Sequence, residues 1–137
     1  MPDTKTQTET EKWIKEVFLP KKYGQPFREK SLTVQSRGQY KFDAVSDDDE
    51  IVAVISTSAG FTPNGKVATD ELMKVRSAVL WVLQLDHTPQ KRLLVCTDQS
   101  MIDLVKDEKK RDRFPKEFEI LKAKLPPELT EKLDHSS

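Results

Sequence analysis

Residues 67–85, VATDELMKVRSAVLWVLQL, place Leu72, Val75, Val79, Val82 and Leu83 at helical spacing, and they lie between two short apolar runs, IVAVIS and RLLVC. Each run has the length of a buried strand. Two strands joined through a helix favour a parallel pair, because a parallel crossover needs a dozen or more residues and a hairpin needs only a few. Upstream, FREKSLTVQ, QYKFDAVS and IVAVISTS are each strand-length, separated by Ser36-Arg37-Gly38 and by the acidic run Asp47-Asp48-Asp49-Glu50. Both separators have hairpin-turn chemistry, which predicts an antiparallel meander of three strands. Antiparallel pairing on one side and a parallel crossover on the other make the expected sheet mixed and the fold class α/β.

The flanks complete the order. Thr8 and Glu11 have capping-box spacing, and Trp13, Ile14, Val17 and Phe18 follow on one face, so a first helix is expected to run to about Pro20. After the crossover come a buried strand in KRLLVCTD, a helix in QSMIDLVKDEKKRDRF and a last strand in EFEILKAKL. The chain of 137 residues suits a single domain. The expected divisions are a disordered polar N-terminus over 1–7, the α/β domain over 8–125, and a short helix or tail over 126–137.

Charge narrows the function. The 23 basic and 23 acidic residues cancel, so no global positive field draws nucleic acid to the surface, and any such contact has to be local. The single cysteine, Cys96, sits in the apolar run LLVC and reads as core, with no disulfide framework. No apolar stretch approaches the roughly 18 residues of a membrane span, and MPDTKTQTETEK lacks the apolar centre of a secretory signal. The expected setting is the cytoplasm, without a membrane partner.

Gly60 to Lys66, GFTPNGK, has the glycine-to-lysine spacing of a phosphate loop and stands between a strand and a helix. The next residue should carry a hydroxyl for magnesium, and it is Val67. The loop also follows the third strand of a meander, whereas nucleotide-binding domains place it after the first strand of a parallel sheet. Nucleotide binding through GFTPNGK is therefore a minor alternative to an Asn64-Gly65 turn with a solvated Lys66.

The stretch YKFDAVSDDDEIVAVISTS, with the element order over 8–98, resembles the PD-(D/E)XK, or restriction-endonuclease-like, superfamily. The resemblance implies a core of helix, three-stranded meander, helix and strand. It also implies an aspartate on the second strand and an acidic-x-lysine pair on the third, which bind a divalent metal for phosphodiester cleavage. Asp43 matches the aspartate. Val54 stands where the acid belongs and Ser56 where the lysine belongs, so the motif is degenerate. One carboxylate does not supply the oxygen ligands magnesium needs.

The helix after the third strand is where such a site could recover charge. At about 100° per residue Arg76 falls among Leu72, Val79, Leu80 and Leu83, which points it at the sheet with Asp43 as its natural counter-ion. Glu71 flanks that face and could lend a carboxylate, while Lys74 lies on the far side. Each residue also has an ordinary role: Asp43 closing a turn, Arg76 reaching past the sheet edge, Glu71 as a first-turn acid favoured by the helix dipole. Trp81 points away from the apolar centre and marks either a partner or dimer surface or a second packing layer.

Two functions follow. One is a binding or assembly module that kept a nuclease-like frame and lost catalysis, with a nucleic acid, a protein or a second copy as its partner and no cofactor. The other is a metal-dependent nuclease, using magnesium or manganese, with Asp43 as its metal ligand and Asp43, Glu71 and Arg76 as its relocated catalytic set.

Overall fold

The computed structural model describes residues 4–35 and 38–135. Five strands form one sheet in the order β1-β2-β3-β4-β5: Phe27–Thr33, Gln39–Ser46, Ile51–Ser56, Lys91–Cys96 and Phe118–Lys122. The first three pair antiparallel, and β3, β4 and β5 pair parallel, as the mixed-sheet expectation requires. Helices α3 (Thr69–Leu83) and α4 (Gln99–Lys110) cover one face. The N-terminal helical run covers the other, with α5 (Pro127–His135) beside it, where Lys132 meets Glu9 at 3.1 Å. All six residues of β3 are buried because helices lie on both of its faces, which is why its sequence is a continuous apolar run without alternation. Two cores result, one on each side of the sheet, centred on Val52, Val54 and Leu94 and on Ala53, Ile55 and Leu93. Among the described residues no helix is long and apolar enough to cross a membrane.

The first helix differs from its expectation in two ways. Helix α1 begins at Thr4 and continues through Trp13, so Thr8 is an interior residue and Thr4 to Gln7, assigned to a disordered terminus, are helical. The capping-box spacing was coincidental. Beyond it, Ile14–Phe18 form a π-helical turn and Leu19–Tyr23 form α2, which ends on Gly24 in the left-handed conformation that glycine tolerates. In the π turn the Leu19 N–H bonds the Ile14 carbonyl, and both side chains are fully buried while Val17 is exposed. The wider turn also accommodates Pro20, which has no N–H to give and crowds the carbonyl four residues back.

The meander holds the main departure from strand alternation. Arg28 pairs with Val45 but Lys30 with Phe42, so β2 advances three residues where β1 advances two. This is a β-bulge, and it places one extra residue at Asp43-Ala44. Phe42 and Val45 both face α3 and α4, while Ala44 faces the N-terminal helix. The acidic run closes the next turn: Asp48 Oδ1 accepts from Ser46 Oγ at 2.7 Å and from the Glu50 N–H at 3.0 Å, and Asp49 takes φ 63°. Ser36 and Arg37 of the first turn lie outside the described residues.

Candidate functional site

The bulge turns Asp43 to the face of the sheet away from α3. There Asp43 Oδ2 accepts the Ile55 N–H at 3.3 Å, taking a backbone donor of β3. Pairing between β2 and β3 is confined to Ala44 with Ala53 and Val45 with Val52. Its charged surroundings are Glu11 and Lys15 of the N-terminal helical run and Glu29 of β1, which itself pairs with Lys41 at 2.9 Å. Loss of hydration raises the Asp43 pKa, the Ile55 N–H lowers it, Glu29 raises it and Lys15 lowers it. Glu11 is raised as well, by loss of hydration and then by the Asp43 charge.

This arrangement corrects the expected charge pairing. Arg76 does not meet Asp43; its Nη2 lies 2.8 Å from Glu108 Oε1 of α4, on the opposite side of the sheet. Glu71 is apart from Asp43 too, accepting from Ser58 Oγ at 2.7 Å and lying 3.5 Å from Lys74. Val54 is packed in the α3/α4 core, on the face away from Asp43, and Ser56 is buried. What β3 offers Asp43 is a backbone amide and the apolar Ile55. Asp43 and Glu11 place two carboxylates near one another on this face of the sheet. Among the described residues no three His, Cys, Asp or Glu side chains are grouped to hold a metal ion.

A concavity with polar walls lies elsewhere. A cavity of about 880 Å³ opens at the carboxyl ends of β3, β4 and β5, walled by Thr57 and Ser58 after β3, Thr97 and Asp98 after β4, and Lys122 and Lys124 on β5 and just beyond it. Crevices at this end of parallel strands are where α/β folds bind ligands, because the loops that follow the strands converge there. Gln7 and Thr130 close the cavity from the α1 and α5 side, and Thr69 and Glu71 from α3.

The outer wall is GFTPNGK, which forms a small hairpin. Phe61 pairs with Val67, the Thr62 N–H bonds the Lys66 carbonyl at 2.7 Å, and the Gly65 N–H bonds the Thr62 carbonyl at 2.9 Å. The Asn64-Gly65 turn is thus present. The base of the hairpin is fixed to α4. Asp98 caps that helix by accepting the Ser100 N–H at 2.9 Å, and Ser100 Oγ accepts the Gly60 N–H at 2.9 Å. A Cβ on Gly60 would fall 2.8 Å from the Ser100 carbonyl oxygen and 2.9 Å from Met101 Cα, so only glycine permits this approach. Phe61 and Val67 remain about 40% exposed and line the cavity.

The sequence singled out Asp43, Glu71 and the GFTPNGK loop but did not bring Glu11, Lys122 or Lys124 to a site. The signal for the two lysines was available, since residues at the ends of adjacent parallel strands share one end of the sheet. Trp81 stacks on Tyr40 with centroids 4.4 Å apart, which gives it a second packing layer within the chain. Comparison with protein-family models, with curated proteins and with solved structures finds no match to this chain.

Proposed function

We propose that this protein is a non-catalytic ligand-binding module on a frame similar to that of the PD-(D/E)XK proteins, with its binding site at the carboxyl ends of β3, β4 and β5. The observation that carries the reading is the separation of the parts. The one carboxylate that matches the nuclease motif faces the N-terminal helix with an apolar strand beside it, while the cavity with converging polar side chains lies at the sheet end. The order of helix, meander, helix and strand supports the likeness to that frame; the activity of such proteins does not travel with the frame. Relocation of a nuclease centre to α3 loses its support, because Arg76 is neutralised by Glu108 and Glu71 is held by Ser58.

The test is cleavage of single- and double-stranded DNA and RNA with magnesium or manganese, wild type against Asp43→Ala. The expected result is no metal-dependent cleavage by either protein. Turnover by the wild type that disappears in Asp43→Ala would replace this reading with a hydrolytic one.

A further inference from the structure

The sheet-end cavity carries an uneven set of charges. Three acids line it: Glu71 accepts from Ser58 Oγ and pairs with Lys74, Asp98 accepts the Ser100 N–H of the first turn of α4, and Asp70 stands in the first turn of α3. Asp70 and Glu71 in the first turn of α3 complement that helix's dipole, so its N-terminus adds little attraction for an anion. The lysines on the opposite wall differ. Lys122 donates only to the neutral Gln99 amide, at 3.2 Å, and among the described residues neither Lys122 nor Lys124 has a carboxylate within ion-pair distance. Two ammonium groups thus border the cavity from one wall without counter-ions.

A second feature is apolar. Of the five large hydrophobic side chains that are well exposed among the described residues, two, Phe61 and Val67, stand on the same hairpin and line this cavity, with Pro63 between them in the loop. Exposed aromatic and branched side chains converging on a concave site gain by covering an apolar body. The hairpin follows β3, and the lysines belong to the end of β5, two strand spacings or about 10 Å away across the sheet. A molecule joining a ring or short aliphatic body to an anionic group spans that distance, and a cavity of about 880 Å³ lies in the range used for compounds of this size.

Resting on the reading of the sheet end as the binding site, we infer that its ligand is a small amphipathic anion. Its carboxylate or phosphate is held by Lys122 and Lys124, and its apolar body lies against Phe61, Pro63 and Val67. The lysines are solvent-exposed, so each charge contributes a modest preference, with the hairpin supplying the contact area.

The experiment is amide chemical-shift titration of the intact protein with five probes of matched shape. These are 3-phenylpropionate and phenyl phosphate as the two kinds of anion, 3-phenylpropanamide as the neutral isostere, 3-phenylpropylamine as the cationic one, and unsubstituted propionate as the anion without a ring. At least one aromatic anion is expected to move the amides of residues 57–61, 97 and 122–125 and to bind about tenfold tighter than the amide, the amine or propionate. Lys122→Gln with Lys124→Gln should erase the advantage over the amide, and Phe61→Ser should weaken all aromatic probes about equally. The amide or amine binding these residues as tightly as the anions would overturn the ligand class while leaving the site in place. Absence of any shift at those residues with every probe would sink both the ligand class and the site. Folding of each variant is checked by its amide spectrum, and Lys124→Gln alone, at an exposed position, serves if the double variant does not fold.

Discussion

At the scale of single residues, Asp43 and Glu11 titrate against the fold. Both have pKa values raised from 3.8 and 4.5, mainly by lost hydration, so between those values and the raised ones the folded chain holds more protons than the unfolded chain. Stability from this pair is present at low pH and falls as pH rises through the raised values. Asp48 and Glu29 run the other way, their pKa values being lowered by hydrogen bonds from Ser46 and Lys41, so the pair is read from differences between variants. Both residues are solvent-exposed, which weakens the effect, so Glu11→Gln is expected to raise the melting temperature at pH 7 only slightly and to flatten its decline as pH rises above 4.5. Asp43→Asn keeps an acceptor for the Ile55 N–H and should be neutral or stabilising at pH 7. Asp43→Ala strands that amide and should cost about 1 kcal/mol. Thermal melts across pH of the four proteins check the set, and an Asn variant as damaging as Ala would show that the charge itself stabilises the site. The sequence singled out Asp43 but placed it on the α3 face, and it lies on the other one. A bulge moves one residue across the sheet without any residue type that announces it, since Asp43-Ala44 contains neither glycine nor proline.

Among the elements, the link between α3 and α4 is the Arg76–Glu108 pair. Among the described residues Arg76 Nε and Glu108 Oε2 are buried without a partner, and the pair makes a single 2.8 Å bond, so a small rotation to a two-bond arrangement would satisfy both orphan atoms. Arg76 is one-third exposed, which softens its energetics. Arg76→Met and Glu108→Gln are each expected to cost about 2 kcal/mol, with the double variant about 1 kcal/mol better than their sum. Denaturant melts of the four proteins measure this, and simple additivity would mean that the two side chains do not couple in solution. The same melts apply to Gly60→Ala, where a new Cβ meets the backbone of Ser100 and Met101 and should cost about 1–3 kcal/mol while shifting the hairpin. A loss below about 0.5 kcal/mol would show that the loop is not clamped to α4. The helical period of α3 was legible and its core residues Leu72, Val75, Val79 and Val82 are buried as read. The partner of Arg76 was not, because the period tells which face a residue occupies and leaves open whether sheet or neighbouring helix answers it.

For the whole molecule, the periodicities of the sequence were enough for the α/β class, the meander, the crossover and the mixed sheet. Long apolar runs and turn residues are local features, and strand pairing follows from their order. The N-terminal helix was less legible, since its first turns are entirely polar and its apolar face is re-phased by the π turn between Ile14 and Leu19. The cavity is a property of assembly. Its walls come from segments between residues 7 and 130, and no local pattern names them together. Its location still follows a simple rule, because three adjacent parallel strands send their following loops to one end. The measurement that bears most directly on a binding module at that end is amide chemical-shift mapping of the intact protein against a diverse library of small polar and aromatic fragments. The perturbed amides are predicted to cluster at residues 57–61, 97 and 122–125. Hits that gather instead around Asp43 and Glu11, with the sheet-end amides unmoved, would contradict it.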